Sequence, residues 1–203
     1  MRYLLTIIII IFLLESCKPK ADPLTKRTYT AEKIGWTINL PGEKWKVITE
    51  QELKKMSDKG TAMIEDVTEM KMDNSKVEDL VNLKKNAFNY FLASIEPYDS
   101  SSFNNYDEMV TALHEVVKAS FHSQKIPAEY ELGATRIDGL MLDRYIIKVP
   151  SKAPGGKPFY QEIYTCLINN FVLGITLMYN NENDKETLSN ILQSSNFSIN
   201  SDL

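Results

Sequence analysis

Cys17 is the residue whose type and setting promise the most definite chemistry. Leu14-Glu15-Ser16-Cys17 closes an apolar run over residues 3–14, in which Thr6 is the only clearly polar member and Arg2 the single basic residue ahead of it. A thiol in this setting can attack an activated lipid donor and become a thioether to diacylglycerol. The small Ser16 lets a peptidase reach the bond between Ser16 and Cys17, which would leave Cys17 as the first mature residue. A run of this length covers about 18 Å at ~1.5 Å per residue, short of the roughly 30 Å hydrocarbon core of a bilayer. Residues 1–16 therefore read as a cleaved leader rather than a spanning helix.

Elsewhere the residue types that do chemistry are present without the spacing that chemistry needs. His114 and His122 fall eight residues apart, about 80° around a helix axis, with no Cys or carboxylate at ligand spacing, so no metal site is expected and both read as solvated surface histidines. Cys166 lies in Tyr164-Thr165-Cys166-Leu167-Ile168, an apolar strand-like run where a buried, inert thiol is expected. With Cys17 acylated it has no partner for an internal disulfide. No Gly-x-Ser-x-Gly elbow occurs, and the eight glycines form no phosphate-cradling loop. No cofactor is expected. Tyr29, Trp36, Tyr98, Phe103, Phe159 and Tyr160 either line a ligand groove or, as strand aromatics more commonly do, fill the core.

The chain has 203 residues and a net charge of −4. That balance argues against nucleic acid, for which a basic face is expected. Beyond the leader, residues 17–27 carry two prolines among polar residues and read as a tether. Residues 28–203 suit one domain and are short for two.

The elements that must position these groups follow from local pattern. Ile34-Gly35-Trp36-Thr37-Ile38-Asn39-Leu40 alternates at period two before Pro41-Gly42, and Trp45 and Val47 suggest a second extended piece. Thr49 and Glu52 form a capping box with Ile48 and Leu53 as staple, and open either one helix of roughly 22 residues or two broken at Gly60. Leu80-Val81-Asn82-Leu83 and a segment from Ala87 to Ile95, marked by Phe88 and Phe91, read as a hairpin. Asn105 and Glu108 cap a second helix whose face is Tyr106, Val110, Leu113, Val117 and Phe121. A meander follows. Asp138-Gly139 turns residues 134–137 into 140–149, and Asn169-Asn170 turns 159–168 into 171–179, the last strand apolar on both faces and so central and covered on both sides. Asn183, Asp184 and Glu186 begin a final helix with Leu188, Ile191 and Leu192 facing inward.

This order predicts an α+β fold, an α/β/α sandwich around a mainly antiparallel sheet, and it resembles the PsbP-like fold. The matching features are Gly35-Trp36-Thr37-Ile38-Asn39-Leu40-Pro41, Ile137-Asp138-Gly139 and Ser194-Ser195-Asn196-Phe197. The leader separately resembles a bacterial lipobox, although Glu15 stands where small or apolar residues are usual and the leader has fewer basic residues than most. Together the resemblances imply a non-enzymatic binding or assembly lipoprotein of the cell envelope, contacting an envelope protein. The alternative is a carrier or sensor holding a lipid or glycan between sheet and helix. Lipoproteins with aspartate after the cysteine tend to stay in the inner membrane; Lys18 stands there instead, which implies the outer membrane. The loop 150–158, the longest interruption of the meander, reads first as a solvated hairpin loop; if a partner touches it, contact is expected through Lys152 and Lys157, with Ser100 to Asn105 as the second choice.

Overall fold

The structure, a computed structural model, describes residues 28–68 and 74–198. Cys17, Ser16 and the tether lie outside the described residues. The elements run β1 (Thr28–Ala31), a 3-10 turn (Glu32–Ile34), β2 (Trp36–Asn39), β3 (Lys46–Val47), α1 (Glu50–Thr68), β4 (Glu78–Lys84) and β5 (Tyr90–Pro97). They continue with α2 (Tyr106–Ser123), β6 (Glu129–Ile137), β7 (Leu140–Val149), β8 (Phe159–Ile168), β9 (Phe171–Tyr179), α3 (Glu182–Gln193) and β10 (Asn196–Phe197). A seven-stranded antiparallel sheet has the order β3-β4-β5-β9-β8-β7-β6, and a three-stranded one has the order β1-β2-β10. The α+β sandwich expected from the sequence is the architecture observed.

β9 is central, as its two apolar faces require. Leu173, Ile175, Leu177 and Tyr179 are buried on one face, against Leu188, Ile191 and Leu192 of α3 and Ile34, Trp36 and Ile38 of the small sheet. On the opposite face Val172 is buried while Thr176 and Met178 are half-buried. There α1 reaches the sheet through Glu52 and Lys84, and α2 through the stacking of His114 on Tyr145, with ring centroids 4.4 Å apart. The core is thus tighter on the α3 side.

The three motifs that carry the family resemblance meet in space. Trp36 donates its indole N–H to Ser195 Oγ at 2.9 Å and stacks on Phe197. The Phe197 N–H donates to Asp138 Oδ2 at 2.6 Å, and Ser198 N–H to the Gly35 carbonyl at 2.8 Å. Asp138 and Gly139 both hold positive φ, 47° and 82°, as a two-residue hairpin turn demands. The C-terminal strand is therefore fastened to the first long strand on one side and to the β6–β7 turn on the other.

Several expectations are corrected. Of the two readings left open for the first helix, the unbroken one holds, because α1 runs through Gly60 from Glu50 to Thr68; a Cβ at Gly60 would meet nothing within 4 Å, so no close approach requires glycine there. Met70, toward the far end of the roughly 22 residues that the sequence allows this helix, lies outside the described residues. Phe88 is not in a strand: β5 starts at Tyr90, and residues 85–89 form a turn in which Asn86 Oδ1 accepts from the Phe88 N–H at 2.8 Å. That side-chain bond competes with the ladder and ends it. Glu108 takes its cap from Asn105 but returns its own carboxylate to Asn104 rather than to Asn105. The last helix starts earlier than expected, with Asn181 as its cap and Asp184 as the residue whose N–H it accepts. β6 starts at Glu129, five residues before the expected 134, and the short strands β1 and β10 form a second sheet that periodicity did not indicate.

The Gly35 position gives a sharp test of the C-terminal fastening. Its φ is +60°, and a Cβ there would stand 2.4 Å from the Ser198 carbonyl oxygen. Gly35→Ala should cost at least ~2 kcal/mol, since left-handed backbone alone costs a non-glycine residue roughly 1–2 kcal/mol. Urea unfolding followed by tryptophan fluorescence measures it, and the native emission should shift as Trp36 loses its packing against Phe197.

Candidate functional site

The strands bring together one constellation that the sequence did not advertise. Arg144 on β7, Glu162 and Tyr164 on β8, and Tyr179 on β9 point to the α3 side of the sheet, because Arg144 pairs with Tyr164 and the remaining positions keep the period-two alternation. Glu162 is 3% exposed. Its Oε2 accepts from Arg144 Nε at 3.0 Å and Nη2 at 2.9 Å, and also from the Tyr164 hydroxyl. Its Oε1 accepts from the Tyr179 hydroxyl. Tyr160 stacks on Tyr179 at 5.1 Å between centroids, and Lys185 of α3 lies over the Tyr179 ring.

Burial pushes the Glu162 carboxyl upward, and the two tyrosine hydroxyls and Arg144 outweigh it, so the group is held below its ordinary value and is ionised. Tyr164 and Tyr179 are raised, first by burial and then by the carboxylate they donate to. Each oxygen of Glu162 is occupied by these partners. A general base needs a lone pair facing a substrate proton; here both oxygens face protein donors inside the sheet.

The other reactive groups are similarly withdrawn. Cys166 is buried and unpaired, and burial, with Asp143 nearby, pushes its thiol up to about 12, so it is a neutral thiol rather than a nucleophilic thiolate. His114 corrects the expectation of a solvated histidine: it is half-buried against Tyr145, and burial lowers it despite Asp143 and Glu115. His122 is exposed, as expected. The Tyr106 hydroxyl is buried beside Asp143 and Thr165 but closes no hydrogen bond of ordinary geometry. Among the described residues no cluster of three His, Cys, Asp or Glu side chains could hold a metal ion.

Lys152 and Lys157 are both exposed, in the loop between β7 and β8. That loop leaves the sheet at the same end as the 85–89 turn, because Val149 pairs with Phe159, Tyr160 with Tyr179, and Met178 with Tyr90. β5 and β8 are two strand spacings apart, about 10 Å. Phe88, 54% exposed at the tip of that turn, is the apolar neighbour the loop lacks in sequence. Ser100 to Asn105 belong to the opposite end, where the Tyr98 N–H donates to Asn170 and Asp99 is engaged by Ser101 and Ser102. The six aromatics considered for a groove do not converge. Trp36 is core with Tyr29 against it, Tyr98 and Phe103 lie toward one end of the sheet, and Phe159 and Tyr160 lie toward the other. An open cleft of about 490 Å³ lies where α2 meets the start of β6, lined by Glu115, Lys118, His122, Ile126 and Tyr130 among others.

Among solved structures the chain is similar to the solution structure of cyanobacterial PsbP from Synechocystis sp. PCC 6803, at 12% identity and a TM-score of 0.48, covering 91% of this chain and 99% of that one. It is also similar to a crystal structure from Bacteroides thetaiotaomicron at 8% identity and a TM-score of 0.46, covering 87% of this chain and half of that one. No protein-family model matches the chain, and no curated protein does. Neither likeness reaches a TM-score of 0.5, which leaves the resemblance in layout where the sequence put it. It carries no activity, ligand or partner with it.

Removing the charge of Glu162 should expose what the network contributes. Glu162→Gln leaves Arg144 without its counter-charge, at a cost of about 2–3 kcal/mol near pH 7, below the usual range for a buried pair because Arg144 is 31% exposed. The depressed carboxyl stabilises the fold above the ordinary glutamate value of 4.5, and that stability is lost as pH falls through the folded-state value. Urea midpoints from pH 7 to pH 3 should therefore converge for the two proteins as the solution becomes acid. Cys166 should label slowly with a bulky maleimide in native buffer and completely in denaturant.

Proposed function

We propose that this chain is a lipid-anchored module of a bacterial cell envelope, held through Cys17 and acting by docking a protein partner rather than by catalysis. The observation that carries the docking reading is Phe88. It is a large apolar side chain, 54% exposed on a turn fixed by Asn86, at the same sheet end as Lys152 and Lys157. An apolar anchor beside positive charge suits a partner with an acidic rim around an apolar pocket, the charges setting encounter rate and the anchor setting lifetime. The lipobox-like Leu14-Glu15-Ser16-Cys17 and the proline-bearing tether support the anchoring half of the reading, and Lys18 favours the outer membrane. Among the described residues no helix is long and apolar enough to cross a membrane, so within this reading attachment falls to acyl chains at ~0.8 kcal/mol per buried methylene.

The internal pairing of Glu162 and the raised thiol of Cys166 support a role without chemistry. The carrier alternative has one observation in its favour, the cleft of about 490 Å³ beside Tyr130. It is lined by exposed or half-buried residues, so a ligand there would remain in water on one side. A lipid or glycan retained in native mass spectrometry would favour that alternative.

Both halves of the proposal are testable separately. Cys17→Ser should move the full chain from the detergent phase to the aqueous phase; unchanged partitioning, with a mature mass lacking acyl groups, contradicts anchoring. Replacing Lys152 and Lys157 by serine should leave stability within roughly 0.5 kcal/mol and weaken cross-linking to a membrane partner at low salt. Phe88→Ser should weaken the same cross-link at every salt concentration. If all three positions can be changed without effect, docking at this end is wrong.

A further inference from the structure

β6 is the last strand of the seven-stranded sheet, and among the described residues nothing pairs with its outer edge. Natural sheets blunt such edges with bulges, proline, charged side chains (lysine above all) or a short strand. The opposite edge follows that rule, since β3 is only Lys46–Val47. β6 is instead long and regular: Glu129–Ile137 holds nine unbroken pairs with β7, without proline, lysine or a register shift, and its charged side chains are Glu129, Glu131 and Arg136. Leu132, near its middle, is 66% exposed.

Which groups face outward follows from the hairpin. A two-residue turn at Asp138-Gly139 makes Ile137 and Leu140 a hydrogen-bonded pair, and bonding alternates from there. Tyr130, Leu132, Ala134 and Arg136 therefore turn their N–H and C=O groups away from β7. We infer that this edge pairs antiparallel with the same strand of a second copy of this chain, about a two-fold axis through Gly133. That register is the symmetric one that uses all four outward residues: Tyr130 meets Arg136 and Leu132 meets Ala134, each pair exchanging both hydrogen bonds. No like charges oppose, since Glu129 faces Ile137 and Glu131 faces Thr135.

Gly133 supplies an independent observation. It has no left-handed φ, and a Cβ there would meet nothing within 4 Å, so the single chain does not require glycine at this position. On the two-fold axis it meets its own copy in a non-hydrogen-bonded pair, with Cα atoms about 4.5 Å apart. Pairing of β6 with itself uses up that edge in both copies, so assembly through β6 closes at two subunits instead of growing into a fibre.

The test is a register-specific cross-link in the full chain. Gly133→Cys, under mild oxidation, should give a dimer whose disulfide joins position 133 of one copy to position 133 of the other, as located by peptide mass spectrometry, because a Cα separation of about 4.5 Å lies within disulfide reach. Thr135→Cys should not join to itself, its copy being about 14 Å away. Ala134→Pro removes an outward N–H while sparing the bonds to β7, and should weaken self-association in sedimentation at least tenfold with unchanged circular dichroism. Equal self-linking at 133 and 135, no linking at 133, or unchanged association in Ala134→Pro each overturns the inference. Pairing of this edge with an extended segment of another protein would be seen as absence of the 133 link.

Discussion

Everything in this fold depends on the need to cover β9 on both faces. A strand carrying Leu173, Ile175 and Leu177 on one side and Val172 and Met178 on the other cannot sit at an edge or face water. Its position in the middle of seven strands follows from that, and so does the layering: α1 and α2 on one face, α3 with the small sheet on the other. The covers are unequal. The α3 side is closed by Trp36, Phe197 and the hydrogen bonds that bind the C-terminal strand to Gly35 and Asp138, so a two-residue strand completes a core that helices alone would leave open.

The same geometry explains where recognition can occur. Polar side chains pointing to the α3 face enter a low-dielectric space, where an unpaired polar group is costly. Glu162 is tolerated because Arg144, Tyr164 and Tyr179 surround it and donate to both its oxygens. Asp184 is held in the same way by Lys85 and Asn181, which ties the β4–β5 hairpin to the start of α3. Among the described residues, the margins expose most of the 85–89 turn, the 150–158 loop and the outer edge of β6. On the proposed reading, recognition falls to these loops and edges.

Local rules made most of the scaffold legible in sequence, because its signals are local. Thr49 with Glu52, the Asn105 cap, Asp138-Gly139, and the double-faced strand from 171 to 179 each act within a few residues. The three motifs behind the family resemblance were legible singly; their mutual contact was not, since Trp36 and Ser195 are 159 positions apart. The Glu162 cluster was hidden for the same reason, its members coming from three strands, each of them an ordinary polar or aromatic strand residue on its own. Phe88 departs from the strand pattern because aromatic content marks strands on average, while the Asn86 side-chain bond that holds it in a turn depends on how that short segment closes. His114 has the pattern of a surface residue until the sheet places Tyr145 beneath it. Cys17 and Ser16 stand outside the described residues, so their reading still rests on sequence.

β8 and β9 form a closed core in which Glu162, Tyr164 and Cys166 are buried, and the proposed reading leaves recognition to the margins. Native-state hydrogen exchange resolved by residue tests it most directly. Amides of 160–166 and 172–178 should exchange only through global unfolding, with the free energy read from urea, while those of 85–89 and 150–158 exchange within seconds. Exchange of 160–166 through a local opening, well below the global free energy, would contradict the account, because it would bring Glu162, Tyr164 and Cys166 into contact with solvent while the rest of the domain stays folded.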